Sequence, residues 1–104
     1  MEKERITFAD FQEKFNKANE DNTKLYGVVV YSQKNWEKEY PLESRSYVTW
    51  SNQWGWDYSK MGHCRMGYAL DGSEGIRMDY YDWEVDYCYL ITEDEFKEIA
   101  KKYY

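Results

Sequence analysis

Apolar residues recur at helical spacing at Phe8, Phe11, Phe15 and Ala18, which predicts one buried helix face. Thr7 stands ready to cap the first turn, with Asp10 following at the third helical position. Asn19-Glu20-Asp21-Asn22 closes the helix with residues that favour turns. From Lys24 to Ser32 the pattern becomes that of a strand. Its β-branched run Val28-Val29-Val30 predicts a central strand covered on both sides. Gln33 to Ser44 is a polar loop that closes near Pro41, the only proline. Arg45 to Asn52 alternates as a second strand, placing Tyr47 and Thr49 on one face and Val48 and Trp50 on the other.

Gln53 to His63 contains Gly55 and Gly62 and reads as a loop. Cys64 to Leu70 is the third strand, Asp71 to Gly75 a tight connection, and Ile76 to Tyr81 the fourth strand. Asp82 to Glu84 is either a second turn or a bulge. Val85 to Ile91 is the fifth strand, with Val85, Tyr87, Tyr89 and Ile91 on one face and Asp86, Cys88 and Leu90 on the other. Thr92-Glu93-Asp94-Glu95 forms a capping box, and Phe96, Ile99, Ala100 and Tyr103 supply the buried stripe of a last helix. Acids at its start and Lys97, Lys101 and Lys102 later match the helix dipole. The segments starting at Ile6 and at Ile91 share the pattern I-T-x-x-[DE]-F-x-E, which marks two similar helix starts rather than a duplicated domain. This order predicts an α+β fold: an antiparallel sheet of four to five strands, with an N-terminal and a C-terminal helix packed on one face. The other face is then partly open and rich in tyrosine and acid.

A chain of 104 residues makes a single domain, 1–104. Aromatic residues are 20% of it, and aliphatic ones are scarce, so rings are expected to fill the core. Disordered chains are poor in aromatics, so the low mean hydropathy does not imply disorder. The chain shows neither the apolar run of a signal peptide nor a membrane-spanning stretch, which leads to the expectation of a soluble, cytoplasmic protein. Cys64 and Cys88 are too few for a disulfide scaffold and lack metal-site spacing, so buried thiols are expected.

Charge is distributed unevenly along the chain. Residues 1–69 carry ten acids and ten bases, whereas Leu70 to Glu95 carries nine acids against Arg77 alone. The net charge of −6 therefore originates in the last third of the chain. Tyr80, Tyr81, Trp83, Tyr87 and Tyr89 are interleaved with these acids on expected strands, which predicts a folded negative surface rather than an acidic tail. Such a surface attracts a basic protein and repels nucleic acid and anionic membrane. Crowding like charges costs stability, which argues for a purpose beyond solubility.

Catalytic patterns are weak. His63 is the only histidine, and it adjoins Cys64, so on a strand the two point to opposite faces. HExxH, GxSxG, P-loop and GxGxxG motifs are missing. Asp79 or Glu84 near Trp83 offers carboxylates for a glycosidase, but a chain this short rarely builds the cleft. The expectation is a protein with no enzymatic activity, no cofactor and no metal. Trp50, Trp54 and Trp56 offer an alternative ligand-binding platform for sugars, or else rings that cover the sheet.

The segments Leu70-Asp71-Gly72-Ser73, Ile76-Arg77-Met78-Asp79 and Trp83-Glu84-Val85-Asp86-Tyr87-Cys88-Tyr89-Leu90 resemble a pattern in small uncharacterised proteins of Firmicutes phages and integrative elements. The resemblance implies a mobile-element origin within a bacterial host cell. In size, acidity and aromatic content the chain also resembles the type II anti-CRISPR proteins, which inhibit Cas9 and share no common motif. Cas9 holds RNA and DNA in positively charged channels and reads its target-adjacent motif with arginines. The resemblance implies an inhibitor that blocks guide RNA loading or DNA binding. On this expectation Asp71, Glu74, Asp79, Asp82, Glu84 and Asp86 pair with Arg and Lys of the partner, and Tyr81 and Trp83 act as anchors. The alternatives are an immunity protein against a basic nuclease toxin and the Trp-lined carbohydrate or small-ligand module.

Overall fold

Thr7 has an extended backbone, and its hydroxyl accepts the Asp10 N–H at 3.1 Å. This satisfies one donor that a helix start leaves unpaired, and α1 follows over Phe8–Asp21. Asn22 ends α1 with φ 55°, its N–H reaching back to the carbonyls of Ala18 and Asn19. Asparagine is among the few residues with a side chain that adopt this left-handed geometry readily. The computed structural model describes residues 3–52, 65–72, 75–78 and 85–103.

Five strands follow: β1 (Tyr26–Tyr31), β2 (Ser46–Trp50), β3 (Arg65–Ala69), β4 (Gly75–Met78) and β5 (Val85–Ile91). Helix α2 spans Glu93–Ala100. Its capping box is formed, with the Glu95 N–H donating to the Thr92 hydroxyl at 3.2 Å and the Thr92 N–H donating to the Glu95 carboxylate at 2.9 Å. The strands lie in the order β4-β3-β2-β1-β5, each antiparallel to its neighbours. The expected hairpin is β3–β4, with Gly72 at φ 78° in its turn. Because β4 and β5 form opposite edges, they are not one long kinked strand. Asp82 to Glu84, between them, lies outside the described residues.

The α+β class and the antiparallel sheet match the expectation, but the placement of the helices does not. Phe11 and Phe15 of α1 pack on Val29, Tyr31, Tyr47, Ala69 and Cys88. Phe96 and Ile99 of α2 pack with Val28, Val30, Val48 and the rings of Tyr68, Tyr87 and Tyr89. Successive residues of a strand point to opposite faces, so the two helices cover opposite faces of the sheet rather than one. The physical reason is β1 itself. Val28, Val29 and Val30 are all buried, and a single layer of helices would cover either Val29 or the pair Val28 and Val30, but not all three.

Rings fill both layers. Phe11 stacks on Phe15 at 4.4 Å, and Tyr31 meets Tyr47 edge-on at 5.6 Å. On the α2 side Tyr26 stacks on Phe96 at 4.6 Å, and Trp50 lies parallel to Tyr68 at 5.6 Å. Gly27 is required by this packing, because a Cβ there would stand 2.8 Å from Phe11 Cζ.

Two further features shape the edge at β5. Tyr31 pairs with Val85 and Val30 with Tyr87, so Asp86 is an extra residue in the ladder. This bulge turns Val85 towards the α1 layer, not to the face of Tyr87 as strict alternation predicts. Beyond it, Ile6 exchanges two backbone hydrogen bonds with Cys88, at 2.8 and 3.0 Å. The N-terminal arm thereby satisfies part of the outer edge of β5.

Candidate functional site

Helix α2 spans only part of its side of the sheet, and a groove lies beside it. Helix α2 has eight residues and is about 12 Å long at ~1.5 Å rise per residue. It begins beside Tyr26, where Phe96 stacks, and its exit leads towards β3, where Tyr103 lies on Tyr68 at 4.6 Å. The Tyr103 hydroxyl donates to the Ala69 carbonyl at 2.5 Å, and the Lys102 ammonium donates to the Leu70 carbonyl. This diagonal course carries α2 away from the β5 side of the layer.

The arm supplies the second wall of a groove of about 460 Å³. Its floor is Val28 of β1 with Tyr87, Tyr89 and Ile91 of β5. Glu95 and Ile99 line it from α2, and Lys3 and Arg5 from the arm, with Leu70 at the end. The arm stands there because Ile6 is paired to Cys88. Lys3 donates to the Glu95 carboxylate at 2.5 Å. That bond, followed by the Thr92 N–H, holds the Glu95 carboxyl below its ordinary value of 4.5. The Arg5 guanidinium lies 3.9 Å from the Tyr87 ring centre. Burial raises the Tyr89 phenol above its ordinary 10.0, with Tyr87 and Glu95 adding to the effect, so Tyr89 remains a neutral donor at physiological pH.

The acids expected to bind a partner are only partly described. Asp71 is exposed after β3 and accepts a hydrogen bond from the Ser44 hydroxyl. Asp86 is exposed at the bulge. The ladders place both at one end of the sheet, since Tyr47 pairs with Ala69 and Tyr31 with Val85. Glu93, Asp94 and Glu95 lie at the other end, following Ile91, which pairs with Tyr26. There the protein's own lysines partly match them, Lys3 at Glu95 and Lys97 at 3.7 Å from Glu93. Glu74, Asp79, Tyr81, Asp82, Trp83 and Glu84 lie outside the described residues.

Of the tryptophan platform, Trp50 is described, and it is engaged by Tyr68 and Phe96 on the α2 side. Trp54 and Trp56 lie outside the described residues, as do His63 and Cys64. Cys88 is buried between β1 and the arm, and burial pushes its thiol up to about 12. Among the described residues no His, Cys, Asp and Glu cluster is placed to hold a metal ion, and no helix is long and apolar enough to cross a membrane. No motif or periodicity in the sequence marks Lys3 and Arg5 as groove residues. The register that brings them to β5 leaves no local mark in the sequence.

Fold and groove together define a small α+β protein whose sheet lies between two helices, with a groove beside the second. The chain matches no family model, no curated protein and no solved structure.

Proposed function

We propose that the protein is a binding module without catalytic activity, which docks on a cationic surface of another protein and keeps nucleic acid off it. The partner we favour is Cas9, with inhibition of the anti-CRISPR type by blocking guide RNA loading or DNA binding. The observation that carries this reading is the charge partition: nine acids against Arg77 alone in residues 70–95, in a chain otherwise near neutrality. Acids placed among aromatics at strand ends present fixed charge at low entropic cost, and fixed charge is what a basic nucleic-acid channel recognises. Asp86 fits this role, being an exposed bulge residue with no ion-pair partner among the described residues. Asp71 shares its end of the sheet.

The test is capture of Cas9 by the purified protein, followed by DNA cleavage assays in which guide RNA is added before or after it. Inhibition in the guide-last order alone identifies a block of loading, and inhibition in both orders a block of DNA binding. Reversing charge at Asp79→Lys, Asp82→Lys and Glu84→Lys is expected to abolish inhibition. Raising salt from 0.15 M to 1 M shortens the screening length from about 8 Å to about 3 Å and should weaken the complex strongly. No effect on cleavage in either order removes Cas9 as the partner. Salt-sensitive inhibition of a basic nuclease toxin instead would identify an immunity protein.

A further inference from the structure

We propose that the groove between α2 and the N-terminal arm binds a small monocarboxylate with a flat apolar body, held by Arg5. The groove is separate from Asp71 and Asp86, and its charge is out of balance with the rest of the chain. The protein carries a net charge of −6, yet this groove is lined by two cations, Lys3 and Arg5, against the single carboxylate of Glu95. Glu95 is already taken by Lys3. Arg5 has no carboxylate partner among the described residues, and its guanidinium rests on the face of Tyr87. That contact restricts the side chain while leaving the N–H edge available. A guanidinium edge matches a carboxylate with two parallel hydrogen bonds.

The rest of the lining fits the remainder of such a ligand. Ile91, Ile99 and the rings of Tyr87 and Tyr89 offer apolar walls. The volume of about 460 Å³ lies within the ~300–1,000 Å³ of small-molecule sites. A monoanion suits the groove better than a dianion, because Lys3, Arg5 and Glu95 sum to a single positive charge and Glu95 repels a second negative one.

The test is an NMR titration of the full chain with 3-phenylpropionate and with its neutral amide, 3-phenylpropionamide. The acid should give saturable shifts at Tyr87, Tyr89, Ile91 and Ile99. The amide should bind about tenfold more weakly or worse, the usual loss when a charge-assisted hydrogen bond becomes a neutral one. Arg5→Gln should lower the acid's affinity to that of the amide, with changes in the ligand-free spectrum confined to Tyr87 and its neighbours, because Arg5 is exposed and rests on that ring. The proposal is overturned by absence of saturable shifts at the groove, by equal binding of acid and amide, or by undiminished binding of the acid to Arg5→Gln. The acid–amide comparison on the unmodified chain decides the matter even if the variant folds poorly.

Discussion

Gly27→Ala tests the packing of α1 on the sheet. An alanine Cβ at this position would stand 2.8 Å from Phe11 Cζ, nearer still to Cε2, and 3.1 Å from the Tyr89 carbonyl oxygen. Phe11 has no exposed surface and is stacked on Phe15 at 4.4 Å, so moving its ring aside disturbs that stack. Overpacking a core by one methyl costs ~1–3 kcal/mol. The lower entropy of an unfolded alanine returns ~0.4–1 kcal/mol where the residue fits without strain. The balance is a loss of about 1–2 kcal/mol, and ~4–8 °C per kcal/mol makes it a fall in Tm of roughly 5–15 °C. Thermal unfolding followed by circular dichroism measures it. The decisive control is Phe11→Leu, which removes the ring edge that the new methyl meets. Combined with Gly27→Ala, it should be less destabilising than the sum of the two single changes by about 1 kcal/mol. A Tm for Gly27→Ala equal to the wild type, or penalties that simply add, would refute the close approach of Phe11 to β1.

The Lys3–Glu95 pair gives a pH dependence with a definite sign. The folded Glu95 pKa lies below 4.5, so the pair's contribution is present above the unfolded pKa and is lost as pH falls through the lower folded value. Both side chains are exposed, 37% for Lys3 and 41% for Glu95, so the stability involved is small. An NMR titration should nevertheless place Glu95 below 4.5, and Lys3→Met should raise it; a wild-type value at or above 4.5 contradicts the pairing. At Cys88, burial and a thiol pKa of about 12 predict slow reaction with a disulfide reagent. In a Cys64→Ser background the folded protein should label far more slowly than the denatured one, and equal rates would rule out a sealed Cys88.

What could be read from the sequence follows from how local each signal is. Both capping motifs, the helical stripes and the alternation of Tyr47 and Thr49 against Val48 and Trp50 depend on neighbouring residues, and all of them appear in the structure. The run Val28-Val29-Val30 already demanded cover on both sides, and that demand decides where α1 and α2 go. The order of elements along the chain does not choose a face for either helix, which is why placing both on one face misled. The bulge at Asp86 reassigns Val85 through a single inserted residue, and alternation alone cannot detect it. The groove is hidden for a similar reason. Its walls come from residues 3–5, 28, 70, 87–91 and 95–99, brought together by pairings between distant parts of the chain. Trp50 shows the opposite case: its type fits a sugar platform, but the rings of Tyr68 and Phe96 occupy its neighbourhood.

The strand order has a consequence for how the chain reaches this state. Strand β1 needs β5 on one flank, and partners such as Tyr26 and Ile91 stand far apart in the sequence. Until β5 arrives, the three valines have one bare flank and only the α1 side sheltered, because α2 comes after β5. Pairings of such long range form slowly, and an exposed β-branched run is prone to recruit another chain meanwhile. A nascent chain interrupted before Ile91 is therefore not a smaller version of the domain but an aggregation-prone intermediate, held back only by the charges around its sticky centre.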